Sequence, residues 1–367
     1  MKNRPWILAF AGFLAIFLFA LYRFSYLPNR TSQQLELWYV SSDFSPEMME
    51  QLADRYNLQR SGNDFKLVLR SFETEDELAA AYGDSYPDLL LCSYSRAASL
   101  GEREQLKQLE GMSFNYLAEI SAALPYAGSS FFVLGSAVPV VVYNTSIVPK
   151  PSEALDEFYN QAQEYYLATS SPFFTCESAL SMLSSWSAAL GYELKGDLAV
   201  DDLSEVFCSV YNAMAEQVMT GSFQPPTDQA LSLVSQGLIP CAIVPSYRAV
   251  NLPDDLAVSA LPTVEGGENV YTPDLIGLAV TGSRSYTDDS CKAFALWLRQ
   301  YFSTMDALNL GLVPATAKAV GQSYSELDSL LLDVYTGTPV VYSPLGGFME
   351  NYDEMESQIV RALDLLY

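Results

Sequence analysis

Between Leu35 and Leu109 the sequence switches repeatedly between short apolar runs and helical periodicity, and few folds accommodate that alternation. Leu35–Val40 (LELWYV) alternates as a strand and ends in Ser41-Ser42-Asp43. Ser45-Pro46 supplies an N-cap and a first-turn proline, and Met48, Met49, Leu52 and Tyr56 continue at helical spacing. Phe65–Arg70 is a second alternating strand, and Thr74 with Glu77 forms a capping box for a helix running to Tyr82. Pro87-Asp88 then turns into Leu89–Cys92, a continuous apolar run suited to a strand buried on both faces. Ser93–Arg96 is a polar tip, and Ala97, Ala98, Leu100, Leu106 and Leu109 predict a helix after it. The order β-α-β-α-β implies parallel strands with right-handed crossovers. Open sheets of this kind bind ligands beyond the carboxyl ends of their strands. The tips Ser41–Asp43, Phe72–Glu73 and Ser93–Arg96 are therefore expected to converge.

The rest of the chain suggests a second lobe. Phe131–Asn144 (FFVLGSAVPVVVYN) is long, apolar and punctuated by Gly135 and Pro139, which suits a segment carrying the chain out of one lobe into another. Helical spacing marks Glu153–Leu167, Cys176–Leu190, Leu203–Met219, Asp288–Phe302, Tyr324–Tyr335 and Phe348–Tyr367. Gly237–Pro245, Leu256–Leu261 and Leu275–Thr281 read as strands, with Ser246-Tyr247-Arg248 at the carboxyl end of the first.

Composition removes several functions. The chain of 367 residues has a formal charge of −25, which argues against nucleic-acid binding, because a phosphate backbone needs a basic face. It contains no histidine, so Ser-His-Asp and Cys-His nucleophilic systems are impossible. Cys92, Cys176, Cys208, Cys241 and Cys291 are scattered without a C-x-x-C pair, and read as small buried hydrophobes, with one disulfide left open. No Walker loop, G-x-G-x-x-G or G-x-S-x-G occurs, so no cofactor is expected, and without histidine or a C-x-x-C pair no metal site is expected either.

At the amino end, Lys2 and Arg4 precede 18 uncharged residues from Pro5 to Tyr22. As a helix these rise about 27 Å, close to the hydrocarbon thickness of a bilayer. An uncleaved signal anchor is favoured over a removed signal peptide, because Phe19–Arg23 offers a poor cleavage site. Residues 1–34 would be anchor and tether at the cell membrane, with the remainder on the extracytoplasmic side.

Taken in order, these motifs resemble the extracellular solute-binding proteins of ABC-type transport systems, in particular the maltose-binding-like group. Pro87–Leu100 is similar to that family's P-D-(apolar)-x-x-x-x-R-A-A-x-L step, and Pro139–Asn144 to its P-V-x-x-Y-N crossing segment. Gly237–Tyr247, Ile276–Val280 with Ala293–Leu298, and Gly311–Ala315 are similar to its later elements. The resemblance implies an α/β, two-lobed, type II periplasmic-binding-protein-like fold with a hinge and an interlobe cleft. Lobe one would be 35–138 with 278–313, and lobe two 139–277 with 314–367. It further implies a monomeric receptor that captures a small solute, a sugar or oligosaccharide by preference, and delivers it to an ABC permease. The lipid-attachment cysteine of the family is absent here, and the stretch between Tyr166 and Leu203 is short.

Candidate ligand contacts follow from the expected strand tips. Either Trp38 or Tyr39 faces the cleft to stack on a flat apolar surface while the other packs in the core. Asp43 either accepts hydrogen bonds from ligand or simply opens the following helix. Tyr94 and Arg96 end the third strand, and Arg96 either meets ligand or pairs with a nearby acid. Phe173 and Phe174 either line the cleft or close their own lobe. Tyr247 and Arg248 match the family's cleft position, with Asp274 a further candidate ahead of a crossing strand. The pairing expected across the cleft is Ser93–Arg96 with Ser246–Arg248. An arginine at either tip could hold one carboxylate. Two other classes stay open: a carboxylate-dependent glycoside-processing enzyme and a ligand-sensing domain.

Overall fold

Strand β1 (Gln34–Val40) is covered on both faces, and its two sets of side chains go to different partners. Leu35, Leu37 and Tyr39 pack with Met49, Leu52 and Tyr56, whereas Trp38 and Val40 pack with Phe72, Leu78 and Tyr82. The computed structural model describes residues 34–61, 65–97, 106–109, 116–117, 120, 130–191, 208–264, 270–272, 274–281, 287–316, 325–336 and 352–367.

After β1, helix α1 (Pro46–Gln59) starts at the proline, as its sequence predicts. β2 (Lys66–Phe72) follows, then α2 (Glu75–Asp84), whose N-cap Thr74 accepts a hydrogen bond from the Glu77 backbone N–H. β3 (Leu89–Ser93) is buried over its first four residues. β4 (Phe131–Ala137) and β5 (Pro139–Asn144) are separated by Val138 alone, yet they belong to different sheets. The second lobe continues with α3 (Leu155–Thr169), β6 (Phe174–Cys176), α4 (Ala179–Ala189), α5 (Cys208–Thr220), α6 (Ala230–Ser235), β7 (Cys241–Pro245), a 3-10 turn over Ser246–Ala249, and β8 (Leu256–Ala260). β9 (Asp274–Val280), α7 (Asp288–Tyr301), α8 (Thr304–Asn309) and the short β10 (Val313–Pro314) return to the first lobe. α9 (Glu326–Thr336) packs on β8, and α10 (Tyr352–Asp364) packs on α4.

The larger sheet has the order β10-β4-β9-β3-β1-β2, and the smaller β6-β7-β5-β8. β1 is parallel to β2 and β3, as the repeated strand–helix alternation requires. β9 runs antiparallel between β3 and β4. In the small sheet β5 is antiparallel to both β7 and β8, and β6 is parallel to β7.

Several expected boundaries move. The helix read from Cys176 begins at Ala179, because Phe174–Cys176 pairs with β7. The strand read from Gly237 begins at Cys241, since Gly237 adopts φ 71° in the turn before it. Leu106 bridges Thr281 instead of continuing a helix to Leu109. The lobe boundary expected between 277 and 278 falls inside β9, which lies wholly in the six-stranded sheet, and that between 313 and 314 falls inside β10. Cys92, Cys176, Cys241 and Cys291 are free and buried. The apolar amino-terminal run lies outside the described residues, among which no helix is long and apolar enough to cross a membrane.

Candidate functional site

The two sheets turn the carboxyl ends of their strands toward one another. β4 runs out through Val138 into β5, while β7 and β8 end where β5 begins, with Pro139 opposite Pro245 and Val140 opposite Ala260. The tips after β1, β6 and β7 therefore meet at the seam between the lobes.

Arg248 stands at that seam. Its Nη2 lies 2.8 Å from Asp43 Oδ1 in lobe one, and its Nη1 lies 2.8 Å from Glu177 Oε1 in lobe two. Nε also donates to Asp43 Oδ1 at 3.1 Å, Nη1 to the Asp228 carbonyl at 3.3 Å, and Nη2 to Ser42 Oγ at 3.5 Å. A guanidinium has five N–H donors, and these five bonds engage all of them. The Arg248, Asp43 and Glu177 side chains keep 18%, 14% and 10% of their surface exposed. Burial pushes the Glu177 carboxyl up to about 7, with Asp43 and Asp228 adding to the rise; Arg248 pulls the other way without cancelling it. Arg248 is held above its ordinary value: burial acts against its charge, and Glu177 and Asp43 more than offset that.

Beside the ion pairs, Phe44 of lobe one stacks on Tyr247 of lobe two, with ring centroids 5.1 Å apart and planes at 28°. Burial, reinforced by the Asp43 charge, pushes the Tyr247 phenol well above its usual value. Ser246, fully buried, closes the hinge behind them. Its backbone N–H donates to the Val138 carbonyl at 2.9 Å and its Oγ to the Gly311 carbonyl at 2.6 Å, while the Val138 N–H donates to Oγ at 3.2 Å. Gly311 adopts φ 71°, and a Cβ there would meet Ser246 O and Tyr247 Cα at 2.6 Å, so only glycine fits this crossing.

Of the sequence-derived candidates, the structure brings Asp43, Tyr247 and Arg248 together, and Asp274 is close enough to raise the Tyr247 phenol further. The others sit elsewhere. Trp38 is a core residue, 1% exposed, packed against Phe72 and Tyr82 under the Arg70 guanidinium, because its face of β1 is covered by α2. Tyr39 points to the opposite face and is 2% exposed, so neither residue is free to stack on a ligand. Phe173 and Phe174 are also core: Phe158, Tyr165 and Phe223 surround them and close lobe two. Tyr94 is buried edge-on against Phe131. Arg96 lies near Tyr82 and Cys92, whose ionisation it eases, and its Nε has no hydrogen-bond partner among the described residues. Arg248 thus pairs with the tip of β1, and not with the tip of β3 as the sequence suggested.

Glu177, Phe44 and Asp228 were not singled out from the sequence, and Ser42 only as part of the tip Ser41–Asp43. Glu177 follows a strand of only three residues, whose pattern merges with the helix behind it. A separate cavity of about 370 Å³ lies along Ala249–Leu252, walled by Met48 and Leu308 on one side and by Val258 and Glu326 on the other.

Solved structures share this architecture. A protein studied for xylan utilization by the thermophilic bacterium Caldanaerobius polysaccharolyticus aligns with TM-score 0.63 at 16% identity, covering 91% of this chain and 96% of that one. Maltose-bound MalE3 of T. maritima gives 0.67 at 14%, covering 91% and 95%. The galacto-N-biose/lacto-N-biose I-binding protein of the ABC transporter from Bifidobacterium longum, in complex with lacto-N-biose, gives 0.65 at 15%, covering 92% and 95%. The chain has the maltose-binding-like, two-lobed α/β fold. No family model and no curated protein matches its sequence.

Proposed function

We propose that this protein is an extracytoplasmic solute receptor, which captures a small carbohydrate between its lobes by hinge closure and hands it to an ABC permease. The observation that carries the reading is the meeting of strand tips from both sheets at Asp43, Phe44, Glu177, Tyr247 and Arg248, on a fold similar to sugar-binding receptors. Strand ends at an interlobe seam bind ligands because their loops change shape without disturbing either core. In this reading closure bends the chain where it passes between the sheets: at Val138 between β4 and β5, between β8 and β9, and after β10. Residues 5–22 supply the membrane anchor in this reading, and the chain works as a monomer.

Thermal unfolding of the full-length chain in detergent, screened against neutral mono- and oligosaccharides, tests the proposal. A ligand at about 1,000 times its Kd should add roughly 4 kcal/mol of stability. Absence of any stabilising sugar removes the receptor reading. One feature favours a second reading: a carboxyl at about 7 beside a second carboxylate also suits a general acid in glycoside processing. Product analysis of each stabilising sugar separates the two, since a receptor returns its ligand unchanged.

A further inference from the structure

Arg248 uses every N–H donor it has on the protein itself: Asp43 twice, then Glu177, Ser42 and the Asp228 carbonyl. No donor remains for a carboxylate or phosphate. What remains unengaged is of the opposite kind. Asp43 accepts its bonds through Oδ1 and Glu177 through Oε1, so Asp43 Oδ2 and Glu177 Oε2 take no hydrogen bond from the described residues. With both acids ionised, as above about pH 7, two carboxylates against one guanidinium leave a local charge of −1.

We infer that Arg248 is a specificity-determining residue of the seam: held entirely by protein acceptors, it leaves a subsite that takes hydrogen-bond donors, hydroxyl or ammonium, and rejects anionic solutes. This rests on the receptor reading and narrows it to neutral or amine-bearing carbohydrates. The contrast with a ligand-binding arginine is chemical. An arginine clamp offers two parallel N–H bonds to a carboxylate, whereas here both halves of the fork already hold carboxylates from opposite lobes. An incoming anion would have to displace Asp43 or Glu177 against their charge.

Matched probes test this in the full-length chain: galactose, galactosamine and galacturonate, which share a ring, together with citrate. Galacturonate and citrate should leave the parent chain's unfolding temperature unchanged. The Asp43→Asn, Glu177→Gln double variant releases Arg248 donors and removes both local charges, so it should gain at least tenfold in affinity for galacturonate or citrate. Adding Arg248→Met should abolish that gain. The inference is overturned if the parent chain binds either anion and Arg248→Met abolishes that binding. It is equally overturned if the double variant unfolds cooperatively yet gains no anion affinity. Should the double variant fail to fold, Asp43→Asn alone must show a smaller gain, and no gain overturns the inference. If no sugar of any charge stabilises the parent chain, the receptor reading fails, while the variant arm still decides the role of Arg248.

Discussion

Glu177 shows how burial and charge compete at one residue. Its usual carboxyl value of 4.5 rises to about 7 because burial penalises the anion more than Arg248 favours it. A group raised in the folded state stabilises the fold fully below its unfolded value, and that contribution is lost as pH rises from about 4.5 to about 7. Glu177→Gln removes this dependence, so between pH 5 and pH 8 its stability relative to the parent chain should improve, by up to about 3 kcal/mol. Parallel denaturation profiles for the two proteins across that range would contradict the assignment. Asp306 has the opposite sign: burial opposes its charge, but bonds from Arg55 and Ser303 outweigh it and hold the carboxyl below its usual value. Its contribution is present above the unfolded value of 3.8 and is lost as pH falls through the folded one. The sequence marked Asp43, Tyr247 and Arg248 as strand-tip residues, but nothing local joins Asp43 to a partner 205 positions away. The aromatics at 38, 39, 173 and 174 misled for a related reason. A strand buried on both faces conceals which face is which, and here both faces are core.

Elements are positioned by contacts that span the sequence as widely. The amino end of α4, directly after Glu177, is held by a carboxylate from α10: Glu356 accepts from the Ala179 N–H at 2.9 Å, the Leu180 N–H at 2.8 Å and Ser178 Oγ at 3.0 Å. An anion at a helix amino terminus satisfies orphan N–H groups and complements the helix dipole. Glu356→Ala should therefore cost about 2 kcal/mol, with Glu356→Gln costing less because it keeps one acceptor. Urea titration gives both values, and an unchanged midpoint for the alanine variant would exclude this cap as a source of stability. At the hinge, Gly311→Ala places a Cβ 2.6 Å from Ser246 O and Tyr247 Cα at a left-handed φ. A loss of roughly 2–3 kcal/mol is expected from strain and overpacking together, with sugar affinity falling as well because the Tyr247–Arg248 tip must shift. Most elements were legible from periodicity, including the first two strand–helix steps and the apolar segment that crosses at Val138. The exceptions were short: three residues of β6 and two of β10 carry too little pattern to declare themselves.

At the scale of the whole molecule, the side-chain contacts that bridge the seam include the Arg248 fork between Asp43 and Glu177 and the Phe44–Tyr247 stack. Two-lobed architecture was legible because the motifs, taken in order, resemble a two-lobed family and the apolar segment 131–144 suits a crossing between lobes. The bridge was not, because it depends on how two separately folded sheets face each other. Partly buried charge pairs between surfaces couple by about 1.5 kcal/mol or more, and each 1.4 kcal/mol is a factor of about ten in a two-state equilibrium. Arg248→Met should therefore raise the ratio of open to closed lobes about tenfold in the ligand-free chain. Wherever the closed arrangement is the binding-competent one, apparent affinity falls by the fraction lost. Small-angle scattering reads the first effect as a larger radius of gyration for the variant than for the parent chain, and sugar titration reads the second. High salt should move the parent chain in the same direction but less far, because these side chains are more than four-fifths covered and weakly screened. A variant with the parent's scattering curve at low and high salt would mean that the lobes are held by the Val138–Ser246–Gly311 crossing and not by the ion pairs.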